Sequence, residues 1–297
     1  MTVFARSTAR VLVLAAVVST ALAQYAVSAP KESLAESDRG KIEFKTLTLT
    51  RDQFLAGAKT GSEVVISGRL DFPKADEKVA AVIISHGGDG ISRSETGWAY
   101  ELRSMGVATF LVDSYSGRGI SRNPSAAELA PAGQVLDLYR ALALLATHPR
   151  VDAQRIVVMG CSRGGGLALA SGLTTFRKAQ LPSGVDFAAY LGVYPGLPRN
   201  LDFSTWEYAH GRAIRIFQGS ADDATPAAVA RALVEAQRAK GIDVKMFEYP
   251  GAHHAFDNPD LPPSMSHRVG TIGYNAHAFS QAIKDMRETL REILGVK

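Results

Sequence analysis

The sequence predicts an α/β fold: a mostly parallel sheet with helices on both faces and an antiparallel strand pair at its N-terminal end. Three observations carry this expectation. Two early segments alternate apolar and polar residues, as strands with one exposed face do. Val79–Ser85 is instead a continuous apolar run, the pattern of a strand buried on both faces. From there onward, strand-length apolar runs alternate with helix-length segments, the order that builds successive β-α-β units.

The elements follow in order. Ile42–Thr50 and Glu63–Asp71 are the alternating strands. After Val79–Ser85, Trp98–Met105 reads as a helix stopped by Gly106, and Val107–Val112 as a buried strand. Ala130–Thr147 reads as a helix, Arg155–Gly160 as a strand and Gly164–Leu173 as a helix. Phe187–Val193 and Ile214–Gln218 are strands. Pro226–Lys240 is a helix ended by Gly241, Val244–Tyr249 a last strand, and Tyr274–Leu294 a long amphipathic helix. In such a sheet, functional side chains stand at the carboxyl ends of the strands.

Residues 1–23 stand apart from this pattern. Arg6 and Arg10 precede the apolar run Val11–Leu22, and Ala21-Leu22-Ala23 supplies the small residues for a cut before Gln24. That predicts a secretory signal peptide, and hence an exported protein, periplasmic or secreted. The run is shorter than the roughly 20 residues that span a bilayer, so no stable membrane anchor is expected after cleavage. Residues 24–38 predict a flexible lead-in, and 39–297 a single domain.

Composition is that of a globular chain: 297 residues, 46% hydrophobic and 21% charged. Without Arg6 and Arg10 the 33 basic residues become 31 against 29 acidic ones, a net charge of +2. That is too small for a nucleic-acid-binding surface. The single cysteine, Cys161, leaves no intramolecular disulfide and no Cys/His metal spacing.

Ser162 is the candidate nucleophile. Gly160-Cys161-Ser162-Arg163-Gly164 joins a strand to a helix, and G-x-S-x-G in that setting is a nucleophile elbow. The flanking glycines leave room where side chains would strike neighbouring backbone. A thiol is intrinsically the better nucleophile, but a frame centred on Cys161 would put Met159 and Arg163 at the crowded positions. The base is expected in Tyr249-Pro-Gly-Ala-His-His-Ala-Phe-Asp, where loop sequence leaves His253 and His254 open. The orienting acid is expected in Gly219-Ser-Ala-Asp-Asp-Ala-Thr-Pro, where Asp222 and Asp223 are both open, one of them able to cap the following helix. For the oxyanion, the backbone N–H of Arg163 is expected to act with that of Gly88, or of Gly87, in the loop His86-Gly-Gly-Asp-Gly. Asp222, Asp223, His253 and His254 could in principle hold a divalent ion. Adjacent residues rarely aim at one point, so no metal and no cofactor is expected.

Together these segments, with Asp113-Ser-Tyr-Ser-Gly-Arg-Gly-Ile, resemble the dienelactone hydrolase family of α/β-hydrolases from about Val79 to the C-terminus. In similar sequences the catalytic aspartate stands four residues before the proline and the histidine two before the phenylalanine. The resemblance therefore implies Asp222 and His254. It departs in one respect: the family's namesakes carry cysteine at the elbow centre, and here that position is Ser162. The namesakes also bind a substrate carboxylate through arginines, which implies Arg118 or Arg163 for such a role. Tyr115 opens the same loop as Arg118 and is a further substrate-binding candidate. The resulting expectation is a serine hydrolase acting on a small-molecule carboxylic ester or lactone. A peptidase or acyltransferase on the same triad, or a binding protein with an idle triad, are the rival readings.

Overall fold

The computed structural model of the protein describes residues 29–75 and 77–296. The predicted signal segment, residues 1–23, lies outside them. The chain runs β1 (Gly40–Thr48), α1 (Arg51–Leu55), β2 (Ser62–Asp71), β3 (Val79–Ser85), α2 (Arg93–Ser104), β4 (Ala108–Asp113) and α3 (Pro131–Leu145). It continues through β5 (Val151–Cys161), α4 (Arg163–Ala170), α5 (Thr174–Gln180), β6 (Ala189–Val193), β7 (Ala213–Gly219) and α6 (Ala227–Ala239). It ends with β8 (Val244–Tyr249), the short hairpin β9 (Met265–His267) and β10 (Gly270–Ile272), and α7 (Ala276–Leu294).

β1 to β8 form one sheet in the order β1-β2-β4-β3-β5-β6-β7-β8. β2 is antiparallel to both β1 and β4; every later pairing is parallel. Strand character follows position. At the edge, β1 buries Ile42, Phe44 and Thr46 and turns Lys41 and Lys45 outward. In the middle, all seven residues of β3 are buried. Alternate β3 residues serve opposite layers. Ala81 and Ile83 pack with Val135, Leu138 and Leu142 of α3, while Val82 and Ile84 pack with Trp98 and Leu102 of α2 and Met286 and Leu290 of α7. Helices thus cover both faces, as a parallel sheet requires. The parallel strands all end on one side, and that shared end carries the site.

Several elements escape a periodicity reading. α2 begins five residues earlier than its apolar pattern, because its first turn is polar. The start is nonetheless encoded in a capping box: the Ser92 side chain accepts from the Ser94 N–H, and Glu95 reaches back to the Ser92 N–H. α1 has the same device in Thr50 and Gln53. α5 and the β9–β10 hairpin are too short to show a period. The described part of the lead-in is anchored rather than loose: Leu34 is buried, its N–H donates to Thr147 Oγ1, and the Lys31 N–H donates to the Glu43 carbonyl.

Arg118 corrects a second expectation. Its side chain is off the cavity wall and packed as a structural cation. Its guanidinium makes two hydrogen bonds to Asp137 of α3 at 2.8 and 2.9 Å and donates to the Ser114 carbonyl and Thr48 Oγ1. Thr46 Oγ1 also donates to Asp137. The two side chains are 4% and 0% exposed. Tying β1, α3 and the 114–118 turn together, the pair is costly to break because the survivor is a buried, unmatched charge. Asp137→Ala is expected to cost about 3–5 kcal/mol. Thermal denaturation should show it as a fall of order 10 °C in Tm.

Candidate active site

β5 ends in a turn whose backbone has little freedom. Ser162 sits at φ 53° and ψ −119°, a conformation L-residues avoid. Its neighbours make that conformation compulsory. The Ser162 N–H donates to the Val193 carbonyl at 2.9 Å, and the Ser162 carbonyl accepts from the Gly196 N–H at 2.7 Å. A Cβ on Gly160 would fall on the Gly164 carbonyl, and one on Gly164 on the Ser85 and His86 carbonyls. Gly166 is equally confined, by the Gly196 carbonyl. The elbow's glycines are thus points of backbone-to-backbone contact, which lift Ser162 Oγ clear at the N-terminus of α4.

His254 arrives from the loop after β8, and Asp222 from the turn after β7. Ser162 Oγ lies 2.9 Å from His254 Nε2, and His254 Nδ1 lies 2.8 Å from Asp222 Oδ2. In the tautomer with hydrogen on Nδ1, the serine hydroxyl donates to the imidazole and the imidazole donates to the carboxylate. Both His254 and Asp222 are buried. Asp222 is fixed on every side: Oδ1 accepts from the Thr225 N–H, and Oδ2 accepts from Thr225 Oγ1 and Gln218 Nε2. One aspartate therefore both closes the turn before α6 and faces the histidine.

Asp223 does neither; it is exposed and accepts from the Thr271 N–H and hydroxyl, anchoring the β9–β10 hairpin. Those bonds, the backbone one first, hold its carboxyl below the usual range. His253 turns its Nδ1 to the Ala221 carbonyl. Among the described residues, no group of three or more His, Cys, Asp or Glu side chains is arranged to hold a metal ion.

The loop after β3 lies against Ser162, with a Cβ on Gly87 falling 3.7 Å from Ser162 Cβ. Its two candidate amides are not equivalent. The Gly87 N–H is taken by Glu95 Oε1 at 2.9 Å, whereas among the described residues no hydrogen bond engages the Gly88 N–H. The Arg163 N–H is at the first position of α4, where a helix offers its amides unpaired. The Arg163 side chain is on the cavity wall, but Nε donates to Gln134 Oε1 and Nη2 to the Leu129 carbonyl. Tyr115 is not on that wall. It is buried, edge-on to His86 at 4.3 Å between ring centroids, filling the space behind the 86–90 loop.

Beneath the site is a polar cluster that motif reading did not single out. Asp257 is fully buried and accepts from Ser94 Oγ, Tyr194 Oη and Trp98 Nε1 at 2.6–2.7 Å. Burial pushes its carboxyl above the ordinary range, against the pull of those three donors. Tyr194 is held by this bond at φ 36°, and its ring lies 4.6 Å from the His254 ring. Nothing in the local sequence, Ala252-His-His-Ala-Phe-Asp-Asn-Pro-Asp, marks Asp257 as buried. Cys161 belongs here too. It is buried, and burial first, then Glu95 and Asp257, pushes its thiol well above the normal range. A thiolate does not form readily there.

Fold and site together define an α/β-hydrolase with a serine at the elbow. The chain belongs to the dienelactone hydrolase family, whose sequence profile matches residues 66–294. A search of curated proteins gave no match. Among solved structures, the chain resembles P91, a dienelactone hydrolase-like promiscuous phosphotriesterase from metagenomic libraries. The TM-score is 0.59 at 18% identity, over 86% of this chain and 99% of that one. It also resembles Thermogutta terrifontis esterase 2 phosphorylated by paraoxon, with a TM-score of 0.59 at 19% identity over 86% and 95% of the two chains. The butyrate-bound form of that esterase gives 0.59 at 18% identity over 82% and 94%. At these identities the likeness is one of fold.

The environment of Cys161 has a direct consequence. The native protein at pH 8 is expected to resist iodoacetamide, with alkylation appearing only after denaturation, as read by intact mass.

Proposed function

We propose that the protein is a serine hydrolase that cleaves a carboxylic ester or lactone through an acyl-enzyme, acting after export directed by residues 1–23. The observation that carries this reading is the continuous hydrogen-bonded line from Ser162 Oγ through His254 to Asp222. Ser162 Oγ attacks the carbonyl carbon while His254 Nε2 takes its proton. Asp222 holds the ring in the receptive tautomer and stabilises the imidazolium. The carbonyl electrons move onto oxygen, which is received by the N–H groups of Gly88 and Arg163. Each such donor is typically worth about 3 kcal/mol in the transition state. His254 then protonates the departing alkoxide as the C–O bond breaks. Water, deprotonated by the same nitrogen, releases the acid and restores Ser162.

The related esterase phosphorylated by paraoxon supports this reading by analogy. A fluorophosphonate should likewise become attached to Ser162. The test combines labelling and turnover. The mature protein should be labelled on the peptide carrying Ser162 and should hydrolyse p-nitrophenyl butyrate. Ser162→Ala should lose both, and Asp222→Asn should lower kcat by about 10⁴-fold. Labelling without turnover of any ester or lactone would leave a binding protein with an idle triad. Activity that survives Ser162→Ala would overturn the nucleophile.

A further inference from the structure

We infer that the substrate is a neutral ester with a long or bulky apolar portion, not the small acidic lactone of the family's namesakes; this rests on the hydrolase reading above. Four observations converge on it. The first is size. Ser162 and His254 open into a cavity of about 1080 Å³, at the upper end of small-molecule sites. A small lactone would leave most of it filled with water. The second is its lining. Val135, Leu167, Leu173, Phe176, Leu197 and Trp206 form one wall, drawn from α3, α4, α5 and the 196–207 segment. Apolar surface of this kind gains by receiving hydrocarbon and gives a carboxylate nothing to pair with.

The third observation concerns the cations. Arg118 is absent from the cavity and neutralised by Asp137. Arg163 is tethered to Gln134 and Leu129, and Arg268 on the β9–β10 turn is paired with Asp89 at 2.8 Å. Among the described lining residues, Arg51 is the one arginine that makes no ion pair or side-chain hydrogen bond, and it is exposed. Of the acidic lining groups, Asp89 and Glu207 are themselves paired, with Arg268 and Lys240, while Glu95, which has no cation partner among the described residues, opposes a negatively charged ligand. The fourth observation is the rim. Five large apolar side chains are exposed among the described residues: Ile91, Tyr100, Leu201, Met265 and Val269. Leu201, Met265 and Val269 line this cavity, and Ile91 lies between its lining residues Gly90 and Ser92. Concentrated at one mouth, such side chains mark a binding surface rather than scattered surface apolarity.

The experiment compares three series on the mature protein. The first is p-nitrophenyl acetate through octanoate. The second is alkyl butyrates from ethyl to hexyl. The third is the p-nitrophenyl monoesters of succinate and adipate. kcat/KM is expected to rise about fourfold per added methylene along at least one of the two neutral series. The neutral ester should exceed the acidic one of matched length by at least about tenfold. Leu201→Asp and Met265→Asp, at exposed positions, should lower the octanoate-to-acetate ratio, or the hexyl-to-ethyl ratio if the alkoxy series is the one that rises. Flat or falling dependence in both neutral series, or preference for the acidic esters, overturns the inference while leaving the hydrolase reading intact. No turnover in any series, with Ser162 unlabelled by fluorophosphonate, overturns both.

Discussion

The site depends on one backbone constraint: Ser162 must sit at positive φ while α4 begins against the ends of β3 and β6. Such a conformation costs of order 1–3 kcal/mol and persists only where surrounding structure enforces it. Here the enforcement is mutual. Gly164 rests on the carbonyls of Ser85 and His86, Gly166 on that of Gly196, and Ser162 exchanges hydrogen bonds with Val193 and Gly196 on the strand side. The same contacts that impose the strain bring the loop after β3 beside the nucleophile. The loop after β3 and the serine are therefore placed by a single packing event.

The histidine and the aspartate are delivered by loops, which are ordinarily the less certain parts of a fold. This structure compensates by giving each loop residue several partners. Asp222 accepts from Thr225 and Gln218 as well as facing His254. The other side of His254 is supported by Tyr194, which is itself fixed by buried Asp257 and, through its carbonyl, by Thr225. Thr225 thus touches the aspartate, the histidine and the tyrosine support at once. A buried carboxylate is an expensive way to hold a tyrosine. Three donors offset part of that cost and fix a ring that packs at a tilt against the imidazole.

How much of this was legible in the sequence depends on the range of the interactions. The sheet was legible because burial on both faces writes itself into β3 as an uninterrupted apolar run. The elbow was legible because backbone contacts admit only glycine at positions 160 and 164. Short elements left no period: α5 and the β9–β10 hairpin went unseen, and α1 and the first turn of α2 were marked only by caps. The choices between Asp222 and Asp223, and between His253 and His254, were illegible from loop spacing and needed the family resemblance. Their partners show why. All four residues are hydrogen-bonded: Asp223 to Thr271, His253 to the Ala221 carbonyl, and Asp222 and His254 to each other; neighbouring sequence does not state which partner lies nearby.

Arg118 shows the limit of transferring a role by position. An arginine in the loop after β4 can reach either the cavity or α3, and the outcome turns on one residue of α3. Asp137 lies on the buried face of that helix, where an unpaired carboxylate would be intolerable, and Arg118 is the cation that makes it tolerable. The resulting pair fastens β1 to α3 and removes the positive charge from the substrate side in the same stroke. A chain that stabilises its first strand in this way holds Arg118 away from the cavity, where α3 presents apolar Val135 instead.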